Sequence, residues 1–287
     1  MSTLIDGLSL GSIYALIALG YTMVYGIAKM LNFAHGDVIM VGGYAIFSTL
    51  ALSGSPLVAI VSAIVVCILL GVVIEKLAYK PLRGASPLAV LITAIGVSYF
   101  LQGVAQLIYG AKSRSVTIVS LEAMKFGDTT VKQAAVITLI VSAIIMVALT
   151  MFIKKTRIGR AMLAVSEDRG AAQLMGINVN RIITITFAIG SALAAVASTL
   201  FLLQFSKLTP TLGTMPGIKA FTAAVIGGIG SIPGAMIGGI LLGVIETISL
   251  SIPALNPYTV AIEFSLLIVI LLVKPTGLLG KVKREKV

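Results

Sequence analysis

The 287-residue chain is too apolar for a soluble globular fold. Hydrophobic residues make up 58% of it and charged residues only 11%, and its mean hydropathy is +1.11, which together indicate a membrane protein. The formal net charge of +11 does not indicate a nucleic-acid partner, because the basic residues lie in short loops between apolar runs, where they set membrane orientation. The single cysteine, Cys67, cannot form an internal disulfide, so the fold needs no oxidising compartment.

Uncharged runs long enough to cross about 30 Å of hydrocarbon, which takes roughly 20 residues, follow one another along the chain. They are continuous rather than alternating, and helices satisfy their own backbone hydrogen bonds in lipid. We therefore predict an all-α, polytopic transmembrane helix bundle with eight or nine membrane segments, two of them broken, and a weak internal two-fold repeat. The predicted runs are 7–28, 38–74 with a break at 53–56, 88–109, 133–153, 183–205, 220–245 with an interruption, 247–262 and 264–273.

The basic residues predict the orientation. They concentrate in 75–83, in 154–182 and from 274 onward, and the positive-inside rule places these segments in the cytoplasm. Counting crossings puts the N-terminus outside and the C-terminus inside if 212–251 crosses twice, whereas a re-entrant half-helix there would change the parity. The N-terminal residues lack the features of a cleaved secretory signal, so we expect the first run to be retained.

The chain reads as one transmembrane domain, 1–287, with repeat halves of about 1–153 and 183–287 and a cytoplasmic loop at 154–182. Glycine-dense sequences, NFAHGDVIMVGGY and IGGIGSIPGAMIGG, interrupt the helical pattern once in each half. Broken helices free backbone groups that are tolerated in a membrane where they line a hydrated cavity, near a substrate path. We assign to this path Asn32, His35, Gly36, Asp37, Gly42, Gly43, Gly227, Gly228, Gly230 and Pro233. Two alternatives stay open: close helix packing for the glycines, and helix capping for Asp37.

Two acidic residues, Glu246 and Glu263, lie within apolar runs. Either they serve proton coupling or they lie at helix ends or pair inside the bundle, and the sequence leaves them unassigned. The presence of a single histidine argues against a catalytic site built from a nucleophile and its base. One cysteine and one histidine cannot supply a typical metal site. We predict no catalytic residues, no metal and no cofactor.

The sequence VSEDRGAAQLMGIN in the basic loop predicts a short cytoplasmic helix. Ser166 can cap it, Glu167 and Asp168 suit its positive N-terminal end, and Gly176 can end it. So short a helix is marginally stable in water, so it is expected to rest on a partner protein. The residues assigned to this contact are Ser166, Glu167, Asp168, Ala171, Ala172, Leu174, Met175 and Gly176.

Here the sequence resembles a known family. AAQLMG looks like the cytoplasmic coupling motif of ABC importer permeases, although Gly170 stands where those permeases often have glutamate. The stretches GYTMVYGIAKMLNFAHGDVIMVGGY, TRIGRAMLAVSEDRGAAQLMGINVNRI and AAVIGGIGSIPGAMIGG resemble the LivH-type branched-chain amino acid permease, and the likeness covers nearly the whole chain.

The resemblance implies a permease subunit in the bacterial plasma (inner) membrane. It implies a second homologous permease, two cytoplasmic ABC ATPases that bind the ATP, an extracytoplasmic solute-binding protein, and leucine, isoleucine or valine as substrate. Relatives that carry urea or short amides keep that substrate class open. The sequence lacks a G-x-x-x-x-G-K-[ST] phosphate-binding loop, so ATP must be bound by other subunits. A self-sufficient channel or ion-coupled carrier is the remaining alternative, in which residues 166–176 would be dispensable.

Overall fold

The computed structural model describes residues 2–119, 121, 123–126 and 129–280. In these residues the chain is an all-α bundle, and eight of its helical segments are long and apolar enough to cross a membrane, which confirms the predicted polytopic fold. The helices are α1 (Ser2–Ala28), α2 (His35–Ser53), α3 (Pro56–Ile74, continued by a π-helical turn Glu75–Tyr79), α4 (Pro87–Tyr109), α5 (Gln133–Lys155), α6 (Arg157–Glu167), α7 (Arg169–Leu174), α8 (Val179–Phe205), α9 (Thr214–Gly227), α10 (Ile232–Ser251) and α11 (Thr259–Val273).

Short antiparallel strand pairs lie in the connections. The strands are β1 (Arg114–Ser115), β2 (Ala123–Phe126), β3 (Thr129–Lys132) and β4 (Lys207–Leu208). β1 pairs with β4, which ties the segment after α4 to the segment after α8. β2 and β3 form a hairpin. The predicted basic tail beyond residue 280 lies outside the described residues.

The last two predicted spans, 247–262 and 264–273, are wrong. Helix α10 continues to Ser251, and a single helix, α11, begins at Thr259 and runs through Glu263. Pro253 and Pro257 lie in the connection between them, where the absence of a backbone N–H ends helical pairing. The helix boundary is therefore set by the prolines and not by Glu263.

Helix α1 forms the centre of the bundle, and nearly all of its length is buried. Its closest neighbour is α10: a Cβ placed on Gly239 would meet Ala15, and one placed on Gly243 would meet the backbone of Gly11. Small residues let backbones approach in this way, which replaces the missing hydrophobic driving force between helices in lipid. For these glycines the close-packing alternative applies.

Two helices, α2 and α9, begin inside the bundle rather than at its ends. His35, the first residue of α2, lies against Gly20 of α1, which is about 12 Å before the end of that helix at Ala28 at 1.5 Å per residue. Gly213, immediately before α9, packs against Gly36. Both helices therefore start near the middle of the bundle, and a non-helical segment connects each to the preceding helix.

The path of the chain through 206–251 shows that this region crosses the bundle twice, which is the condition under which α1 begins outside and the chain after α11 lies in the cytoplasm. β4 pairs with β1 at one end of the bundle. At the other end, Leu278 and Leu279 donate hydrogen bonds to the carbonyl oxygens of Ile226 and Gly227, and Gly26 near the end of α1 lies against Gly230. Residues 206–227 cross the bundle once, as a non-helical segment followed by α9, and α10 crosses back. The second end also carries α6 and α7 with their basic residues, so the positive-inside rule places it in the cytoplasm.

Candidate functional site

A polar cluster lies where α2 and α9 begin. The amide nitrogen Nε2 of Gln102, from α4, donates a hydrogen bond to Asp37 Oδ1 at 2.9 Å, and it also lies 3.3 Å from the hydroxyls of Ser98 and Thr214. Asp37 and Gln102 are buried, while Thr214 is exposed. One amide thus connects α2, α4 and α9 at mid-depth.

Asp37 does not cap its helix. It lies in the first turn of α2, but the N-cap position is Ala34, which makes no side-chain hydrogen bond. Its carboxylate is directed instead to the Gln102 amide. The capping alternative for Asp37 is therefore wrong.

The N-terminal ends of α2 and α9 face one another. A Cβ on Gly36 would meet the carbonyl of Gly213, and a Cβ on Gly213 would meet the carbonyl of Gly36. Gly217, one turn into α9, also packs on Gly36. Two helix N-termini with their partly positive ends thus meet beside the Asp37 carboxylate, an arrangement typical of broken helices around a substrate site.

Aromatic rings fill the space between the polar cluster and the cytoplasmic end of the bundle. His35 and Tyr21 meet edge to face with ring centroids 4.9 Å apart, and Phe221 of α9 contacts Tyr21 at 6.0 Å and Phe33 at 5.2 Å. His35 is buried, and its Nε2 atom has no hydrogen-bond partner among the described residues. These rings separate the polar cluster from the cytoplasmic end.

A narrow cleft lies on the cytoplasmic side of these rings. It is lined by residues from α1, the 29–34 segment, α9 and the α9–α10 connection: Tyr21, Thr22, Tyr25, Leu31, Asn32, Phe221, Ala224 and Ile229. Asn32 is held there by Tyr79, whose hydroxyl lies 2.9 Å from Asn32 Oδ1. The two glycine-dense sequences thus meet in this cleft through Asn32 and Ile229.

Apart from Asn32, which lines the cleft, the residues predicted for the path fall into three groups. His35, Gly36 and Asp37 lie at the mid-depth cluster. Gly42 and Gly43 lie further along α2, where they pack against Cys67, Ser198 and Leu208. The second break lies at the cytoplasmic end: Gly227 and Gly228 lie at the end of α9, Gly228 and Gly230 have positive φ angles, and Pro233 is in the first turn of α10.

Sequence reasoning missed the partners of Asp37. Gln102 and Ser98 are separated by one helical turn inside an otherwise apolar run, and a lone amide in such a run is a signal that could have been used. Thr214 and Gly213 gave no comparable signal, because nothing local indicates that α9 begins inside the bundle. Their role becomes visible only when α4 and α9 are brought together.

The cytoplasmic loop forms two helices rather than one. Asp168, not Ser166, caps the second: its Oδ1 accepts a hydrogen bond from the Ala171 N–H at 3.0 Å. Ser166 belongs to α6 and donates to the Leu163 carbonyl at 2.7 Å, so its predicted capping role is wrong. Aspartate is a favoured N-cap residue because its side-chain oxygen accepts a hydrogen bond from an N–H group that has no partner within the first turn of the helix. Gly176 follows α7 with φ of +81°, as expected of a residue that ends a helix.

Helix α7 presents apolar side chains to the surface. Leu174 is 90% exposed and Met175 is 82% exposed, whereas Ala172 is 4% exposed and packs on the core. Glu167 and Ala171 are also exposed. The helix is therefore attached on one side and open on the other.

Arg169 attaches α7 to the centre of the bundle. Its guanidinium donates to the carbonyl of Ile27 at 3.1 Å and to the carbonyl of Ala28, the last residues of α1. Burial, and secondarily the nearby Arg83, lower the pKa of Arg169 from its usual value. A cation is favourable at the carbonyl end of a helix, so α7 is fixed to the helix that leads directly into the first break.

Glu246 and Glu263 both contact Lys219 of α9 inside the bundle. Neither lies free at a helix end, so the structure supports the pairing interpretation. Lys219 was excluded from the predicted apolar run that began at 220, and its partners lie on two later helices.

Comparison with known proteins agrees with this architecture. Residues 3–271 match the family model described as the permease component of the branched-chain amino acid transport system. The chain is 44% identical to the high-affinity branched-chain amino acid transport system permease protein BraD of Pseudomonas aeruginosa, covering 100% of this chain and 98% of that protein. It is 47% identical to the corresponding protein LivH of Escherichia coli, covering 100% and 97%. Among solved structures, PsaBC from Streptococcus pneumoniae in complex with Fab shares the fold with a TM-score of 0.50 at 17% identity, covering 96% of this chain and 93% of that one.

These observations define a multi-pass helical transport permease of the bacterial inner membrane. The chain belongs to the branched-chain amino acid transport permease family. The relatives are named as permease proteins of transport systems, not as enzymes.

Proposed function

We propose that the chain is a membrane-spanning subunit of an ATP-driven importer that moves branched-chain amino acids by alternating access. Its partners would be a second homologous permease, two cytoplasmic ABC ATPases and an extracytoplasmic solute-binding protein. The relatives' names support the substrate class. The observation that carries the proposal is the exposed apolar end of α7, Leu174 and Met175, at the basic end of the bundle.

Energy would enter through α7. Leu174 and Met175 leave a hydrophobic contact open toward the cytoplasm, and a partner that buries both gains about 1.5–3 kcal/mol for each. Gly176 and the Asp168 cap fix where the helix ends and begins. We keep as the proposed ATPase contact the residues predicted from the sequence, 166–168, 171, 172 and 174–176. Within this set, Ala172 and Ser166 would position the contact rather than touch the ATPase.

The transmission would run from α7 to α1. The Arg169 hydrogen bonds fix α7 to the last carbonyls of α1, and α1 continues into the 29–34 segment and α2. A displacement of α7 would therefore move the start of α2, where Gly36 and Asp37 lie. Helices α2 and α9 would rock about their shared N-terminal contact to open the path to one side or the other.

The mid-depth cluster suits an amino acid. The Asp37 carboxylate can accept hydrogen bonds from an ammonium group, and helix N-termini favour a carboxylate. Exposed Met215 and half-buried Phe221 on α9 would offer apolar contacts to an aliphatic side chain. The binding protein would supply the high affinity, and the cluster would be occupied only in passage.

Uptake by the reconstituted complex tests the proposal. Proteoliposomes containing the full complex should take up labelled leucine when ATP is present, and should take up little without the ATPases. Labelled urea is the control substrate: urea uptake without leucine uptake would contradict the substrate class. Retained uptake after deletion of 166–176 would favour an ion-coupled carrier or channel.

A further inference from the structure

Three charged side chains meet inside the bundle, each from a different helix. Lys219 Nζ of α9 lies 2.6 Å from Glu246 Oε1 of α10 and 3.0 Å from Glu263 Oε1 of α11. The exposed fractions of the three residues are 6%, 9% and 1%. We call Lys219, Glu246 and Glu263 the buried triad.

The buried triad lies deep in the membrane. Given 1.5 Å per residue, Lys219 lies about 12 Å from the cytoplasmic end of α9 at Gly227, and Glu246 lies about 8 Å from the opposite end of α10 at Ser251. Both positions are within a hydrocarbon layer about 30 Å thick. Water reaches such a depth only through the protein, so the charges there must be balanced locally. Lipid offers no compensation.

The buried triad has more negative than positive charge if both acids are ionised. One ammonium group faces two carboxylates, which leaves a net charge of −1. The salt bridges of the described residues give neither acid a second cation. Tyr14 of α1 is the remaining ionisable neighbour: its ring centroid lies 5.9 Å from Lys219 Nζ, and it interacts with both acids but brings no positive charge.

Hydrogen bonding shows the same imbalance. Oε2 of Glu246 and Oε2 of Glu263 are buried and have no hydrogen-bond partner among the described residues. Ionised carboxylates are acceptors only, whereas a protonated carboxyl supplies one O–H donor. One added proton would remove the excess charge and supply a missing donor at once.

We propose that Glu246 and Glu263 bind one proton between them, so that the buried triad is a neutral proton-binding site. It then consists of one ammonium, one carboxylate and one carboxylic acid. Because it joins α9 to α10 and α11, this site fixes the helix that begins at Thr214 to those two helices. The proposal rests on charge and contacts alone and is independent of the substrate and of the energy source.

Infrared spectroscopy of the full chain in its complex in lipid nanodiscs tests the proposal. The C=O stretching band of a protonated carboxyl is separate from the bands of carboxylates. We expect one such band that is lost in Glu246→Gln and also in Glu263→Gln, because either remaining acid then pairs with Lys219 as a carboxylate. Asp6→Asn, in the partly exposed first turns of α1 and not part of the buried triad, is the control and should retain the band. A band unaffected by both glutamine variants would overturn the proposal.

Thermal unfolding provides an independent readout. Either glutamine variant keeps a balanced pair, so its midpoint should stay close to that of the wild type. Lys219→Met leaves two buried acids without a cation and should lower the midpoint by more than about 5 °C. Glutamine variants as unstable as Lys219→Met would overturn the proposal. A wild-type midpoint that falls when sodium in the buffer is replaced by choline would also overturn it, since a metal cation would then occupy the site.

Discussion

Gly36 and Gly213 touch backbone to backbone at the point where two broken helices begin. A Cβ on either residue would meet the carbonyl group of the other, so no side chain fits at this contact. The contact holds the N-terminal ends of α2 and α9 together beside Asp37. It is the structural centre of the proposed path.

Alanine at Gly36 or at Gly213 should separate the two helix starts. The added methyl group must push a backbone carbonyl aside, and overpacking of this kind costs about 1–3 kcal/mol. We expect greatly reduced leucine uptake with the complex still assembled, measured in proteoliposomes. Gly96→Ala is the matched control, because a Cβ there meets nothing within 4 Å, and it should leave uptake unchanged. Equal uptake by all three variants would argue against a role for the contact.

The substitution Gln102→Leu should leave Asp37 without its amide partner. Loss of the partner of a buried acceptor costs about 1–3 kcal/mol, and more for a charged group, so we expect reduced uptake and a lower unfolding midpoint. Gln106→Leu, one turn further along α4 on an exposed face, is the control and should retain both. If Gln106→Leu were the more damaging variant, the cluster would not be the polar centre of the path.

Alanine at Asp168 should loosen the start of α7. The change removes the hydrogen bond to the Ala171 N–H, which is worth about 0.5–2 kcal/mol. Leucine uptake should fall while the complex still hydrolyses ATP, so that the same or more ATP is consumed for each leucine transported. Asp168→Asn retains the cap and should behave nearly like the wild type, whereas equal defects in both variants would mean that charge, not capping, is what matters.

Alanine at Arg169 should disconnect α7 from α1. The guanidinium hydrogen bonds to Ile27 and Ala28 are lost, so we expect ATP hydrolysis that no longer drives leucine uptake, measured as the ratio of ATP consumed to leucine transported. Arg160→Ala on the exposed face of α6 removes the same charge without that contact and should leave the ratio unchanged. A normal ratio in Arg169→Ala would contradict this route of transmission.

The sequence was sufficient for most of the membrane spans and for the position of the cytoplasmic loop, because uncharged runs and basic loops are one-dimensional signals. It misplaced the boundary between α10 and α11 and did not separate α6 from α7. It was not sufficient for partners on separate helices. Lys219 and Glu263 lie on α9 and α11, and Gln102 and Thr214 on α4 and α9, and no local pattern links such pairs. The start of α9 inside the bundle was also hidden, since a non-helical segment and a helical one can have the same apolar composition. Ser166 was the predicted cap of the cytoplasmic helix, and the sequence does not show that α6 continues to Glu167 and leaves Asp168 as the N-cap of α7.

The most direct test of the central claim is whether the ATPases act on the exposed end of α7. Leu174→Glu with Met175→Glu replaces both exposed apolar side chains by charged ones without disturbing the buried Ala172. We expect purified complexes to lose their ATPase subunits and ATP-dependent leucine uptake to disappear, while Leu174→Met retains both. Full ATPase binding and normal leucine uptake by the doubly substituted protein would contradict it.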